Sequence, residues 1–136
     1  MAVLAITQIS CTCDFEFHFR GVVRAATGGV PIEGARIQTL WYDLYAIDPE
    51  KNNRYGWGEA IASDSAGQLR TRAWGVYDCG PGRADIDDPG DLGYIYFHIE
   101  AEGYIPCDVS YAGDSFQRRG GYYIVPDIAI SSSDIR

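Results

Sequence analysis

Apolar and polar side chains alternate with a period of two through much of this chain. Phe15, Phe17 and Phe19 alternate with Glu16, His18 and Arg20. That predicts a strand over Cys11 to Val23 with one buried face, because successive strand side chains point to opposite sides of a sheet. Ala35 to Trp41, Gly58 to Ser63, Gln68 to Trp74, Cys107 to Tyr111 and Tyr122 to Ile130 read as further strands. Gly28-Gly29-Val30-Pro31, Asp64-Ser65-Ala66-Gly67 and Glu102-Gly103 separate them as turns. The clearest segment is Tyr94 to Ile99, where Tyr94, Tyr96 and His98 alternate with Ile95, Phe97 and Ile99. A strand here puts two phenols and an imidazole on one face and an apolar set on the other.

Asp48 to Asn53 is polar and contains a proline, hence a loop, and Cys79 to Gly93 is rich in Gly, Pro and Asp, hence a long irregular one. Ser131 to Arg136 reads as a loose tail. No window sustains helical periodicity. Short strands at regular spacing with turn signals predict an all-β domain, one sandwich of about seven to nine strands spanning the whole chain.

Composition narrows the function. A chain of 136 residues can bury a proper core as one domain. The net charge is −8, and the linear sequence shows no basic stripe, which argues against nucleic acid as a partner. No run of about eighteen apolar residues is present, so no membrane-spanning helix is expected. Met1 to Ile6 lacks a positively charged n-region, so no signal peptide is expected and the predicted location is cytoplasmic. The cysteines are Cys11, Cys13, Cys79 and Cys107. A Cys-x-Cys pair without a His or a second pair nearby is poor zinc-binding chemistry. In a reducing compartment all four are expected as thiols. The remaining partners are a small-molecule ligand or substrate and a second copy in a homo-oligomer.

Read together, the segments resemble the intradiol ring-cleavage dioxygenases, which are built on a prealbumin-like β-sandwich. The resemblance rests on Phe19 to Val23 followed by Val30 to Ile37, on Trp41, Asp43 and Arg54-Tyr55, and on Ser63 to Gly67 with Thr71 and Tyr77. It continues through Tyr94-Ile95-Tyr96-Phe97, Ala101-Glu102-Gly103-Tyr104 and Tyr111-Ala112-Gly113-Asp114, covering roughly residues 19 to 116. Several of these pieces also occur in carboxypeptidase regulatory-like and transthyretin-like modules, which share the sandwich. The resemblance implies a prealbumin/transthyretin-like fold of the intradiol core type.

The family holds a ferric ion with two tyrosinates and two histidines. Tyr55 and Tyr77 align with the tyrosinates, whereas Tyr94 and Tyr96 occupy both histidine positions. A neutral imidazole binds metal without losing a proton, but a phenol with a pKa near 10 must lose one. The expected outcome is no metal cofactor, with Fe(III) on Tyr55, Tyr77, Tyr94 and Tyr96 as the alternative. The leading expectation is a small-molecule enzyme with a tyrosine-rich pocket for an aromatic or polyketide-like ligand. Tyr55, Tyr77, Tyr94, Tyr96 and His98 would supply acid–base or positioning chemistry there, and Trp57, Trp74 and Glu59 would contact the ligand. Either Glu59 or Glu100 would tune His98 as a general base. The alternatives are a non-catalytic binding or assembly module on the same scaffold and a divergent metal-dependent dioxygenase. The acidic run Asp85 to Asp91 lacks calcium-loop spacing and reads as a solvated loop or a lid over the pocket.

Overall fold

The computed structural model describes residues 12–42, 55–57, 60–82 and 85–133. Ten strands follow in chain order among them: β1 (Thr12–Ala25), β2 (Arg36–Tyr42), β3 (Tyr55–Trp57), β4 (Ile61–Ala62), β5 (Gln68–Asp78), β6 (Tyr94–Glu100), β7 (Cys107–Ala112), β8 (Gln117–Arg119), β9 (Tyr122–Ile124) and β10 (Ile128–Ile130). Their helical content is limited to two short 3₁₀ turns, Pro89–Leu92 and Gly113–Ser115. The all-β expectation holds.

The strands form two sheets. In the first, β1 pairs antiparallel with β5 from Thr12 opposite Asp78 to Val22 opposite Gln68. On its other side β1 takes the short parallel strands β9 and β10, and β8 closes against β9. The second sheet runs β3-β2-β6-β7, with β4 also on β2. Alternation decides what each sheet buries. Phe17, Phe19, Val23, Leu69 and Ala73 from the first sheet meet Ile37, Trp41, Ile95, Phe97 and Ile99 from the second in one core. Phe19 packs edge-to-face on Phe97, with 5.5 Å between ring centroids. Removing each such side chain from water contributes about 1.5–3 kcal/mol. Two hydroxyls inside this layer, Thr39 and Thr71, bond each other across the sheets, so neither is left unsatisfied.

Several boundaries differ from the sequence reading, each for a physical reason. The segment Tyr122 to Ile130 is two strands, because Pro126 has no N–H to donate to a ladder. β5 runs on to Asp78, held by its pairing with the start of β1. The three-residue strands β3 and β8 are too short to show a period. Ser131 to Ser133 is not loose: Ile105 N–H donates to Ser131 O at 2.8 Å and Ser133 N–H to Gly103 O at 3.0 Å.

The thiol expectation is corrected. Cys13 and Cys79 form a disulfide with Cα atoms 5.7 Å apart, while Cys107 is free and half-buried. Cys11 lies outside the described residues. Neither the Cys13–Cys79 spacing of 66 nor any local motif marks the pair; the β1–β5 register brings them together.

Candidate functional site

β6 presents Ile95, Phe97 and Ile99 to the core with no exposed surface. Tyr94, Tyr96 and His98 therefore do share a face, as the alternation predicts, and it is the outer face of the second sheet. Tyr94 is 57% exposed, and Tyr96 and His98 are half-buried. The neighbouring strands complete this face by register. Leu40 and Ser110 stand opposite Tyr96, Gln38 and Asp108 stand opposite His98, and Ala112 stands opposite Tyr94. β3 extends it at backbone level, with Trp57 opposite Leu40 and Tyr55 opposite Tyr42. Glu59 lies outside the described residues.

Tyr77 and Trp74 are elsewhere. Tyr77 is 6% exposed and belongs to the core, 6.2 Å from the Phe15 ring, with its phenol oxygen accepting the Ile86 N–H at 3.0 Å. Trp74 is 47% exposed on the outer face of the first sheet. Its ring lies under the Arg72 guanidinium, 5.7 Å away. A shallow concavity there is lined by Asp14, Glu16, Arg72, Trp74 and Val76. The expected convergence of Tyr77 and Trp74 with Tyr94 and Tyr96 is thus not what the sandwich builds. One tyrosine faces inward, two face outward from the opposite sheet, and a layer of backbone and core separates them.

His98 is held between two carboxylates. Its Nδ1 is 2.6 Å from Asp108 Oδ1 and its Nε2 is 3.0 Å from Glu100 Oε1. The hydrogen bonds to Glu100 and Asp108 raise its pKa above the usual 6.5, against a lowering by burial. Both ring nitrogens are engaged by carboxylates, so neither is the open basic nitrogen expected of a general base. Glu100 was within reach of sequence reasoning. Asp108 is the residue it missed, although folding the strand back about the turn at Gly103 would have placed it opposite His98.

The acidic run before β6 does local structural work. Asp88 caps the 3₁₀ turn by accepting from Gly90 N–H at 2.8 Å, and Asp91 accepts from Asp87 and Asp88 N–H. Ile86, Pro89 and Leu92 are buried beneath it. Among the described residues no group of three or more His, Cys, Asp or Glu side chains is placed to hold a metal ion.

No family model matches the sequence, and no curated protein is similar to it. Solved structures are. Chlorocatechol 1,2-dioxygenase from Pseudomonas putida is 19% identical with a TM-score of 0.50, over 87% of this chain and 61% of its own. 3-Chlorocatechol 1,2-dioxygenase from Rhodococcus opacus is 15% identical with a TM-score of 0.53, over 86% and 60%. A mutant of Acinetobacter radioresistens catechol 1,2-dioxygenase is 14% identical with a TM-score of 0.50, over 87% and 52%. The chain thus spans between half and two thirds of the length of these enzymes. At such identities the likeness speaks for the fold, not the chemistry. The fold is an intradiol dioxygenase-like all-β sandwich.

Proposed function

We propose that the chain is a single small-molecule-binding domain that receives an aromatic ligand on the outer face of its second sheet. In this reading Tyr94 and Tyr96 stand in for the two ligating histidines of the intradiol enzymes. The supporting observation is a row across four strands in which Trp57, Leu40, Tyr96 and Ser110 stand in register, with Tyr94 and His98 two positions either side on β6. A planar ligand laid on this row meets tyrosine π-faces and hydroxyls that both donate and accept.

The ferric ion implied by the resemblance does not fit these residues. Tyr77 spends its oxygen inside the core, while Tyr94 and Tyr96 face away from that core on the opposite sheet. Phenols so divided cannot share one ion. The chemistry this face supplies is binding and orientation, with His98 held between Glu100 and Asp108 at its edge. The disulfide supports an oxidising compartment in place of the cytoplasm, because such bonds persist mainly there.

Titration with catechol and with 2-naphthol, followed by NMR shifts of the tyrosine rings, is the direct test. Binding should saturate for at least one of them. Tyr96→Ala should weaken it about tenfold, since an aromatic wall and a hydrogen bond are each worth around 1 kcal/mol. Tyr77→Phe should leave it within about twofold. Stoichiometric iron with a visible tyrosinate band that vanishes in Tyr77→Phe would overturn the proposal.

A further inference from the structure

The outer face of the first sheet gathers positive charge that the linear sequence scatters. Alternation along β1 and β5 turns Glu16, His18 and Arg20 and Arg70, Arg72 and Trp74 outward, while Phe17, Phe19, Leu69 and Ala73 enter the core. In the ladder Arg20 stands directly opposite Arg70, and His18 opposite Arg72. β9 continues the Arg20 row, with Ile124 in register with Arg20, and β8 adds Arg119 opposite Tyr122. The Arg20 guanidinium lies 5.2 Å from the centroid of the Tyr122 ring, and the His18 ring lies 6.1 Å from it.

Like charges directly opposite in an antiparallel pair are destabilising, because their Cβ atoms are only about 4.5–5.5 Å apart. Two other arginines of this sheet meet acids. Arg72 Nη1 meets Glu16 at 2.7 Å, and Arg24 Nε meets Asp127 at 2.9 Å. Among the described residues no carboxylate lies within ion-pair distance of Arg20 or Arg70. Two arginines without a carboxylate partner among the described residues therefore stand at opposed ladder positions, one of them held against an aromatic ring. A guanidinium fork matches a carboxylate in a planar, bidentate way, and a tyrosine face accepts a stacked ring.

The geometry points to a second ligand site here, for a small aromatic carboxylate: its carboxylate bridges Arg20 and Arg70, and its ring lies along Tyr122. Charge selects a small ligand over a polymer. The chain carries −8 overall, so a long polyanion is repelled wherever it leaves the patch. A single carboxylate stays within one Debye length, about 8 Å at physiological ionic strength, of both arginines. The site lies on the opposite side of the sandwich from the tyrosine face and stands independently of the function proposed there.

Benzoate, cyclohexanecarboxylate and inorganic phosphate, each titrated into the whole protein by calorimetry and by NMR, test the site. Benzoate should bind with shifts centred on Tyr122, about fivefold tighter than cyclohexanecarboxylate, the difference a stacked ring supplies. Phosphate should bind more weakly than benzoate. Arg70→Gln should weaken benzoate about tenfold, the loss expected for one charge-assisted partner. Arg24→Gln should change it less than about twofold, because Arg24 is already paired with Asp127. Without ligand, Arg70→Gln should melt no lower than the parent, since it removes a repulsion. Failure of benzoate to saturate, equal binding of phosphate, or a lowered melting temperature in Arg70→Gln would each overturn the inference.

Discussion

At the scale of single residues, the same amino acid serves opposite ends in this molecule. Tyr77 is a core residue whose hydroxyl satisfies the buried N–H of Ile86. Its replacement by Phe leaves that N–H without this acceptor, and urea unfolding should show a loss of about 1–3 kcal/mol. Tyr94, more than half exposed, should tolerate Phe within about 0.5 kcal/mol. Gly113 carries a demand of another kind. A Cβ there would stand 1.9 Å from the Pro89 carbonyl oxygen, a backbone atom that cannot step aside. Gly113→Ala should therefore cost more than about 3 kcal/mol or abolish folding, read from the far-UV circular dichroism melt. His98 makes stability depend on pH. Its pKa is raised in the folded state by hydrogen bonds to Glu100 and Asp108. The stabilisation is complete below about pH 6.5 and is lost as pH rises through the higher folded value. The melting-temperature gap between the parent and His98→Gln should accordingly be widest near pH 6 and narrow on the alkaline side. A gap that widens with rising pH would show that the clamp does not favour the charged ring.

At the scale of elements, the β1–β5 ladder is the longest among the described residues. Its open end, where Thr12 meets Asp78, is also where Cys13 and Cys79 are joined. The bond links positions 66 apart in sequence, so its loss frees much unfolded-chain entropy. The paired change Cys13→Ser with Cys79→Ser should cost about 2–4 kcal/mol in urea unfolding, and hydrogen exchange should quicken first at the Cys13 end of the ladder. β6 shows what alternation leaves open. Its period of two separates Ile95, Phe97 and Ile99 from Tyr94, Tyr96 and His98. Whether the tyrosine side lines a cavity or paves an outer face depends on what packs over it, and the apolar set takes the one partner sheet.

For the whole molecule, two sheets enclose one apolar layer and expose two chemically distinct outer faces. One carries Tyr94, Tyr96 and the His98 clamp, and the other carries the arginines of β1 and β5. No helix among the described residues is long and apolar enough to cross a membrane. Thiol counting after unfolding without reductant tests the cross-link in the whole chain. Of the four cysteines, at most two should react, because Cys13 and Cys79 are consumed. Four reactive thiols would show that the bond does not form.

Strand periodicity, turn residues and the absence of helical patterning were enough to read the all-β sandwich and most of its long strands. The grouping of Tyr94, Tyr96 and His98 on one face came from the same local rule, since pleating acts on neighbours within one strand. Pairings between distant segments were not legible. Nothing in the spacing of Cys13 and Cys79, or of Arg20 and Arg70, marks them as neighbours, because register between β1 and β5 is set by which faces must be buried. The same long-range choice sent Tyr77 into the core and Tyr94 and Tyr96 out of it. Local pattern tells which side chains travel together; only the packing of one sheet on another tells which way they face.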